Sequence, residues 1–207
     1  YSASKGGAEL AINSYSKCFF NEGRVKVGIG RAGNVVGGGD WSPYRLVPDC
    51  IKSWSKNEQV VIRNPDSTRP WQHVLEPLSG YLLLASKLYL NQELRGEAFN
   101  FGPPANQNFN VMSVVKEMSK YWDKVKWETN KDKSFYESGL LKLNCDKALK
   151  KISWEPVWNF NETIYHTVNW YKNFYTMKDD TFQLSLNQIT DYTNSAISKG
   201  LSWTNAK

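Results

Sequence analysis

Three short apolar runs, each closed by glycine or proline turn residues and followed by segments of helical period, constrain this chain more than any other feature. The first holds Val25, Val27 and Ile29, continues after Arg31 as Val35-Val36, and enters Gly37-Gly38-Gly39. The second is Val60-Val61-Ile62-Arg63, closed by Asn64-Pro65-Asp66, and the third is Ala98-Phe99-Asn100-Phe101, stopped by Gly102-Pro103-Pro104. Such runs read as strands buried in a sheet. Between them, Tyr1 to Phe20 keeps a helical period on Ala8, Ile12, Tyr15 and Phe19 and ends at Asn21-Glu22-Gly23. Leu46 to Trp54, with Pro48 in its first turn, and Pro77 to Tyr89, on Leu78, Leu82, Ala85 and Leu88/Tyr89, are the next two helices. Strands alternating with helices predict an α/β protein with a parallel sheet.

Further along, Asn110 is expected to cap a helix reaching Trp122, and a short strand is expected from Val125 to Glu128. Asp146 is read as the cap of a helix through Ile152. Asn159 with Glu162 has the capping-box spacing and opens an amphipathic helix on Ile164, Val168 and Tyr171, through Tyr175. Ser185 and Gln188 repeat that spacing in the tail and predict a short docked helix there.

Composition excludes several classes. Nine Trp, eleven Tyr and nine Phe in 207 residues mean a chain that folds around a core. The net charge of +6 suits an anionic ligand, but the basic residues are scattered, and the densest run, Lys116 to Lys133, is interrupted by acids and aromatics. With no nucleic-acid-binding motif, no nucleic acid partner is expected. No apolar run is long enough for a membrane span. Cys18, Cys50 and Cys145 are widely spaced and odd in number, which fits a reducing cytoplasm. His73 and His166 lie far apart with no cysteine pair, so no metal site is expected, and both are read as structural imidazoles.

The chemistry begins at the first residue. Tyr1 and Lys5 are one helical turn apart, so a phenol and an ammonium share a face, and a cation held beside a phenol eases its ionisation. About one such spacing arises by chance in a chain of this composition, so the pair needs support. Asn34 follows a strand where ligands bind in open α/β sheets, and Arg69 stands beside Trp71 and His73 ahead of a helix. An arginine there suits a diphosphate, although an Arg-Trp surface contact would look the same.

Five elements in order, Tyr1-x-x-x-Lys5, a strand ending at Arg31 to Asn34, Arg45-Leu46-Val47-Pro48, Arg69-x-Trp71-x-x-Val74 and Phe99-Asn100-Phe101-Gly102, resemble the C-terminal part of extended short-chain dehydrogenase/reductases acting on nucleotide sugars. The resemblance covers residues 1 to about 175. Many relatives carry Arg-Asp-Trp and a Tyr-Gly where this chain has Arg69-Pro70-Trp71 and Arg63-Asn64, and these differences, with Leu141-Lys142-Leu143-Asn144-Cys145, point to the CDP-sugar branch. The resemblance implies the C-terminal part of a Rossmann-like parallel sheet fold with a smaller mixed α/β substrate-binding domain. Residues 1–43 and 74–103 would belong to the first, and 44–73 and 104–207 to the second.

It also implies a reaction: NAD-dependent 4,6-dehydration of CDP-D-glucose to the 4-keto-6-deoxy sugar. Tyr1 as phenolate would take the proton of the sugar 4-hydroxyl, and Lys5 would depress its pKa and hold the nicotinamide ribose. Ala32 would lie by the nicotinamide. Asn34, Arg69 and Asn100 would address the diphosphate and sugar, and Arg45, Leu46 and Arg63 the nucleotide end. The family's glycine-rich loop and elimination residues precede the position of Tyr1, and the chain does not begin with Met. A portion of a longer protein is therefore expected, without NAD binding or turnover by itself. The family commonly pairs through the helix bearing Tyr1 and Lys5, so the whole protein is expected to be a homodimer or larger homo-oligomer. It would be cytoplasmic and serve deoxysugar supply for lipopolysaccharide O-antigen. Another nucleotide-sugar epimerase or dehydratase, or a non-catalytic module retaining the fold, stays open.

Overall fold

The computed structural model describes residues 2–20, 24–130, 141–176 and 180–204. Tyr1 and the helix stop at Asn21-Glu22-Gly23, both singled out by sequence, lie outside them. The elements run α1 (Ser2–Phe19), β1 (Ile29–Ala32), β2 (Asn34–Val36), α2 (Leu46–Ser55), β3 (Val60–Arg63), β4 (Thr68–Arg69), β5 (Trp71–His73), α3 (Leu75–Leu90) and β6 (Ala98–Phe101). There follow β7 (Phe109–Asn110), α4 (Val111–Met118), β8 (Trp127–Asn130), α5 (Asp146–Ile152), α6 (Phe160–Thr176) and α7 (Thr181–Ser198).

Pairing is parallel wherever the strands exceed two residues: Ile29 to Ala32 run beside Ala98 to Phe101, Asn34 to Val36 beside Trp71 to His73, and Val60 to Arg63 beside Trp127 to Asn130. The antiparallel exception, β4 on β7, is a two-residue pairing. The α/β class with parallel strands is thus as the alternation requires. β4, β5 and β7 went unread because two or three residues are too few to display a period, and β5 buries a glutamine and a histidine.

The larger core gathers Cys50, Ile51 and Trp54 of α2, Val60 and Ile62 of β3, Val114, Val115 and Met118 of α4, and Ile164, Val168 and Tyr171 of α6. Removing each such side chain from water is worth on the order of 2 kcal/mol, which is why α2, α4 and α6 turn these faces inward. Phe109 stacks on Phe160 with ring centroids 3.8 Å apart, and the Trp54 indole donates to the Lys126 carbonyl at 3.0 Å. A second cluster packs Leu84 and Leu88 of α3 with Phe99 and Phe101 of β6 and with Ala148, Ile152 and Trp154. A third joins Val157 and Trp158 to Tyr192 and Ala196 of α7.

Local signals were mostly obeyed. The Asn110 side chain accepts from the Ser113 amide at 2.8 Å, and the capping box closes in both directions, Asn159 N–H to Glu162 at 2.7 Å and Glu162 N–H to Asn159 at 3.0 Å. Three expectations need correction. α4 ends at Met118, four residues short of Trp122. Asp146 is the first helical residue of α5, and the Asn144 side chain receives its amide at 2.8 Å. The tail helix is long, with 18 residues capped by Asp180; Ser185 lies inside it, bonded back to the Thr181 carbonyl. Along α1 the periodicity located the helix but not its inner face: Glu9, Asn13 and Ser16 are half-covered, whereas Tyr15 and Phe19 are 61% and 70% exposed.

Candidate functional site

A cavity of about 850 Å³ opens between β2, the loop from Gly37 to Arg45, the first turn of α2, and the strands β3, β4 and β5. Its wall is formed by Asn34, Asp40, Tyr44, Arg45, Leu46, Asp49, Ile62, Arg63, Asn64, Arg69 and Trp71, among others. Three guanidinium-bearing residues therefore share one hollow with the N-terminal turn of a ten-residue helix. Unsatisfied amides and the helix dipole at that end favour an anion, and arginines match phosphate geometry.

The loop is held from below. Tyr171 of α6 donates its hydroxyl to the Asp40 carbonyl at 2.7 Å and receives the Asp40 amide at 3.0 Å. Burial is the main cause holding that phenol above its ordinary pKa, so it stays protonated as a donor. Trp41 stands edge-on to the Tyr171 ring, 5.2 Å between centroids, and Trp170 lies directly beneath Gly38. Of Gly37-Gly38-Gly39, the last alone has a positive φ, +79°. Backbone freedom is therefore needed at Gly39; at Gly37 and Gly38 the requirement is room, because a Cβ would meet Val74 at 2.8 Å and Trp170 at 2.1 Å.

Within the cavity the Arg45 guanidinium lies 3.7 Å from Asp40, and Arg69 donates to the Thr68 carbonyl at 2.7 Å. Asp49, half-buried in the first turn of α2, has its carboxyl raised above the usual range by burial, opposed by Lys52, the Tyr44 amide and Arg63.

The structure brings together five of the residues singled out by sequence: Asn34, Arg45, Leu46, Arg63 and Arg69 all line the cavity. Asn100 is not among the lining residues; it lies opposite Arg31 in the β1–β6 pairing, and its side-chain amide donates to the Asn144 carbonyl at 2.9 Å. Ala32 is exposed at the last position of β1, and Lys5 is exposed on α1. Tyr44, Asp49 and Asp40 are the lining residues that sequence reasoning passed over. Tyr44 adjoins Arg45 in sequence, which was the signal available.

His73 is buried, accepts the Leu75 amide at Nδ1 and stands edge-on to Trp158, which also stacks on the ring of His166 and meets Tyr192 edge-on. Burial drives the His73 pKa down to about 3, so it is a neutral core imidazole. Among the described residues no group of three or more His, Cys, Asp and Glu could hold a metal ion.

Gly28-Ile29-Gly30-Arg31-Ala32-Gly33 satisfies the dinucleotide spacing of glycines, but most of it is strand β1 itself, not a turn opening a helix. These glycines serve packing: a Cβ on Gly30 would meet the Tyr81 ring at 2.5 Å, and one on Gly28 would meet Leu88 at 2.7 Å. These three glycines therefore do not form a pyrophosphate cradle for a dinucleotide.

The parallel strands, their helices and the arginine-lined cavity at the strand ends give the chain the fold of Rossmann-type sugar-nucleotide dehydratases and epimerases. It superposes on the NAD complex of dTDP-glucose 4,6-dehydratase from Bacillus anthracis with a TM-score of 0.66 at 22% identity, covering 84% of this chain and 52% of that one. On UDP-glucuronic acid 4-epimerase from Bacillus cereus the TM-score is 0.69 at 16% identity, over 84% and 52%. By sequence the chain is a homologue of CDP-glucose 4,6-dehydratase: it is 42% identical to the Salmonella typhimurium enzyme over 198 residues, 93% of this chain and 55% of that protein. The chain spans about half the length of the relatives it matches. No family model matches it.

Proposed function

We propose that the whole protein containing this chain catalyses the NAD-dependent 4,6-dehydration of CDP-D-glucose to CDP-4-keto-6-deoxy-D-glucose, and that this chain supplies the sugar-nucleotide side. The observation that carries the reading is the convergence of Asn34, Arg45, Leu46, Arg63 and Arg69 on one cavity, in a chain 42% identical to a CDP-glucose 4,6-dehydratase. Arg69 and the N-terminal turn of α2 would take the diphosphate, Arg45, Leu46 and Arg63 the nucleotide, and Asn34 the sugar. Asn100, away from the cavity wall in this structure, would complete the sugar contacts.

Tyr1 would accept the proton of the sugar 4-hydroxyl, with Lys5 beside it stabilising the phenolate and Ala32 against the nicotinamide. NAD, when bound, supplies the acceptor and donor of the hydride that makes the reaction redox-neutral. The glycine-rich cradle for its pyrophosphate and the elimination residues would be supplied by other parts of the whole protein. The division into 1–43 with 74–103 and 44–73 with 104–207, a homodimer built on α1, a cytoplasmic location and a role in O-antigen deoxysugar supply complete the proposal.

The test is incubation of the whole protein with NAD and, separately, CDP-, dTDP-, GDP- and UDP-glucose. A 4-keto-6-deoxy product from the CDP sugar is expected. Conversion of UDP-glucose to UDP-galactose, with no keto product from CDP-glucose, would make it an epimerase.

A further inference from the structure

Tyr44 is the outlier of the cavity. It is bulky, 81% exposed and held in the left-handed region at φ +64°, where a side chain of its size is disfavoured by about 1–2 kcal/mol. The Arg63 guanidinium lies 5.8 Å from the centre of its ring, on the neighbouring cavity wall. Asp49, in the first turn of α2, lines the same cavity, and the charge of Arg63 acts on its carboxyl. Strain of this kind persists where surrounding contacts over-determine it, and it concentrates at ligand clamps. A phenol face and a planar guanidinium side by side at the mouth of a cavity form a stacking surface for a flat heterocycle. An ionised carboxylate at the same wall is acceptor-only.

We propose that Tyr44 and Arg63 carry the nucleobase and that Asp49 selects cytosine by accepting a hydrogen bond from its exocyclic amine. This rests on the sugar-nucleotide reading above and names the residue that chooses among pyrimidines. Cytosine presents an N–H donor at its 4-position, whereas uracil and thymine present a carbonyl oxygen there. A carboxylate facing that oxygen leaves two acceptors opposed, so the same wall that binds cytidine repels uridine and thymidine. Tyr44, Arg63 and Asp49 line one cavity, so the stacking surface and the selective group lie together.

The experiment measures equilibrium binding of CDP and of UDP to the whole protein, wild type and Asp49→Asn, alongside turnover of CDP-glucose. Wild type is expected to favour CDP by about tenfold or more, and Asp49→Asn, whose amide can donate to a carbonyl, to abolish or invert that ratio. Tyr44→Ala is expected to weaken CDP and UDP alike by about tenfold, leaving their ratio in place. Should Asp49→Asn fail to fold, Asp49→Ser, which also removes the carboxylate, replaces it. An unchanged CDP/UDP ratio in a folded Asp49 variant overturns the assignment, even if wild type dehydrates CDP-glucose. A ratio that responds to Asp49 in a protein yielding no keto sugar supports the base site and removes only the dehydratase reading.

Discussion

The guanidinium of Arg31 grips both carboxylate oxygens of Glu9, Nε to Oε1 at 2.7 Å and Nη2 to Oε2 at 2.5 Å, and so ties α1 to β1. Glu9 lies one helical turn beyond Lys5 on α1. The pair therefore sets the rotation of the helix that carries Lys5 relative to Ala32, the neighbour of Arg31. An exposed ion pair adds little to stability, so its value is positional. Glu9→Gln is expected to lower kcat of the whole protein by about tenfold while leaving the melting temperature nearly unchanged. The exchange Glu9→Arg with Arg31→Glu should recover part of the loss. The Arg31 hydrogen bond holds the Glu9 carboxyl below the usual range, so the tether is complete above the ordinary glutamate pKa and fails as pH falls through the lowered one. Equal kcat in Glu9→Gln and wild type would remove the positional role.

Glu76, buried in the first turn of α3, receives the amides of Val157 at 2.9 Å and Trp158 at 2.7 Å and the Tyr192 hydroxyl at 2.9 Å. One carboxyl thus fastens the segment before α6 and the whole of α7 onto α3. Each oxygen faces a backbone donor, so Glu76→Gln would turn its NH₂ against an N–H. A loss of about 2–4 kcal/mol in chemical denaturation is expected, and a larger one for Glu76→Ala. Burial, opposed by these donors, pushes the carboxyl up to about 7. A folded-state pKa above the unfolded one stabilises fully below the unfolded value and is lost as pH rises through the folded one. Wild-type stability is expected to fall by up to about 3 kcal/mol between pH 4.5 and 8, and this slope should vanish in Glu76→Gln. A denaturation midpoint independent of pH over that range would contradict the assignment.

What could be read from sequence follows how local each cause is. The Asn159–Glu162 box, the Asn110 cap and the run Val60 to Arg63 are decided within a few residues, and each stands where the pattern places it. The strand Trp71–His73 was missed because its burial comes from contact with β2 and from Trp158, which lies 85 positions beyond His73 in the chain. The cavity was legible only in part, for a similar reason. Arg45, Arg63 and Arg69 are conspicuous as residue types, but Tyr44 enters the wall through a left-handed turn that no residue pattern announces, and Asp49 from the first turn of α2. The glycines at 28, 30 and 33 carry the spacing of a phosphate loop, but only their neighbours in space show that their work is to admit Leu88, Tyr81 and Pro70.

On α1 the apolar stripe of Ile12, Tyr15 and Phe19 lies beside the face that meets the sheet, and the rings of Tyr15 and Phe19 touch at 5.3 Å. Two exposed aromatics in tilted contact along one helix form a surface that a second copy of the same helix can cover isologously. The whole protein is expected to sediment as a dimer, and Tyr15→Lys with Phe19→Lys to shift it to monomer while circular dichroism stays unchanged. A wild-type monomer at micromolar concentration would dispose of the α1 dimer.

The last relationship, between Gly38 and Trp170, links the core to the cavity. A methyl on Gly38 would stand 2.1 Å from the buried indole, and that ring cannot retreat because it packs on Tyr171 and its Nε1 donates to Ser185 at 3.2 Å. Gly38→Ala must therefore push the loop outward, and this loop leads to Asp40, Tyr44 and Arg45. Destabilisation of about 1–3 kcal/mol is expected, with a fall of about tenfold in CDP affinity. Gly39→Ala makes the contrast: its Cβ would meet the ring at an ordinary 3.6 Å, so the cost is that of the positive φ alone, about 1 kcal/mol. Trp170→Leu should relieve the Gly38→Ala defect and restore CDP binding in the double variant, because the lost ring vacates the space that the methyl needs. Additive losses in that double-mutant cycle would show that the loop is not seated on the indole, and the account of how the core positions Tyr44 and Arg45 would fall with it.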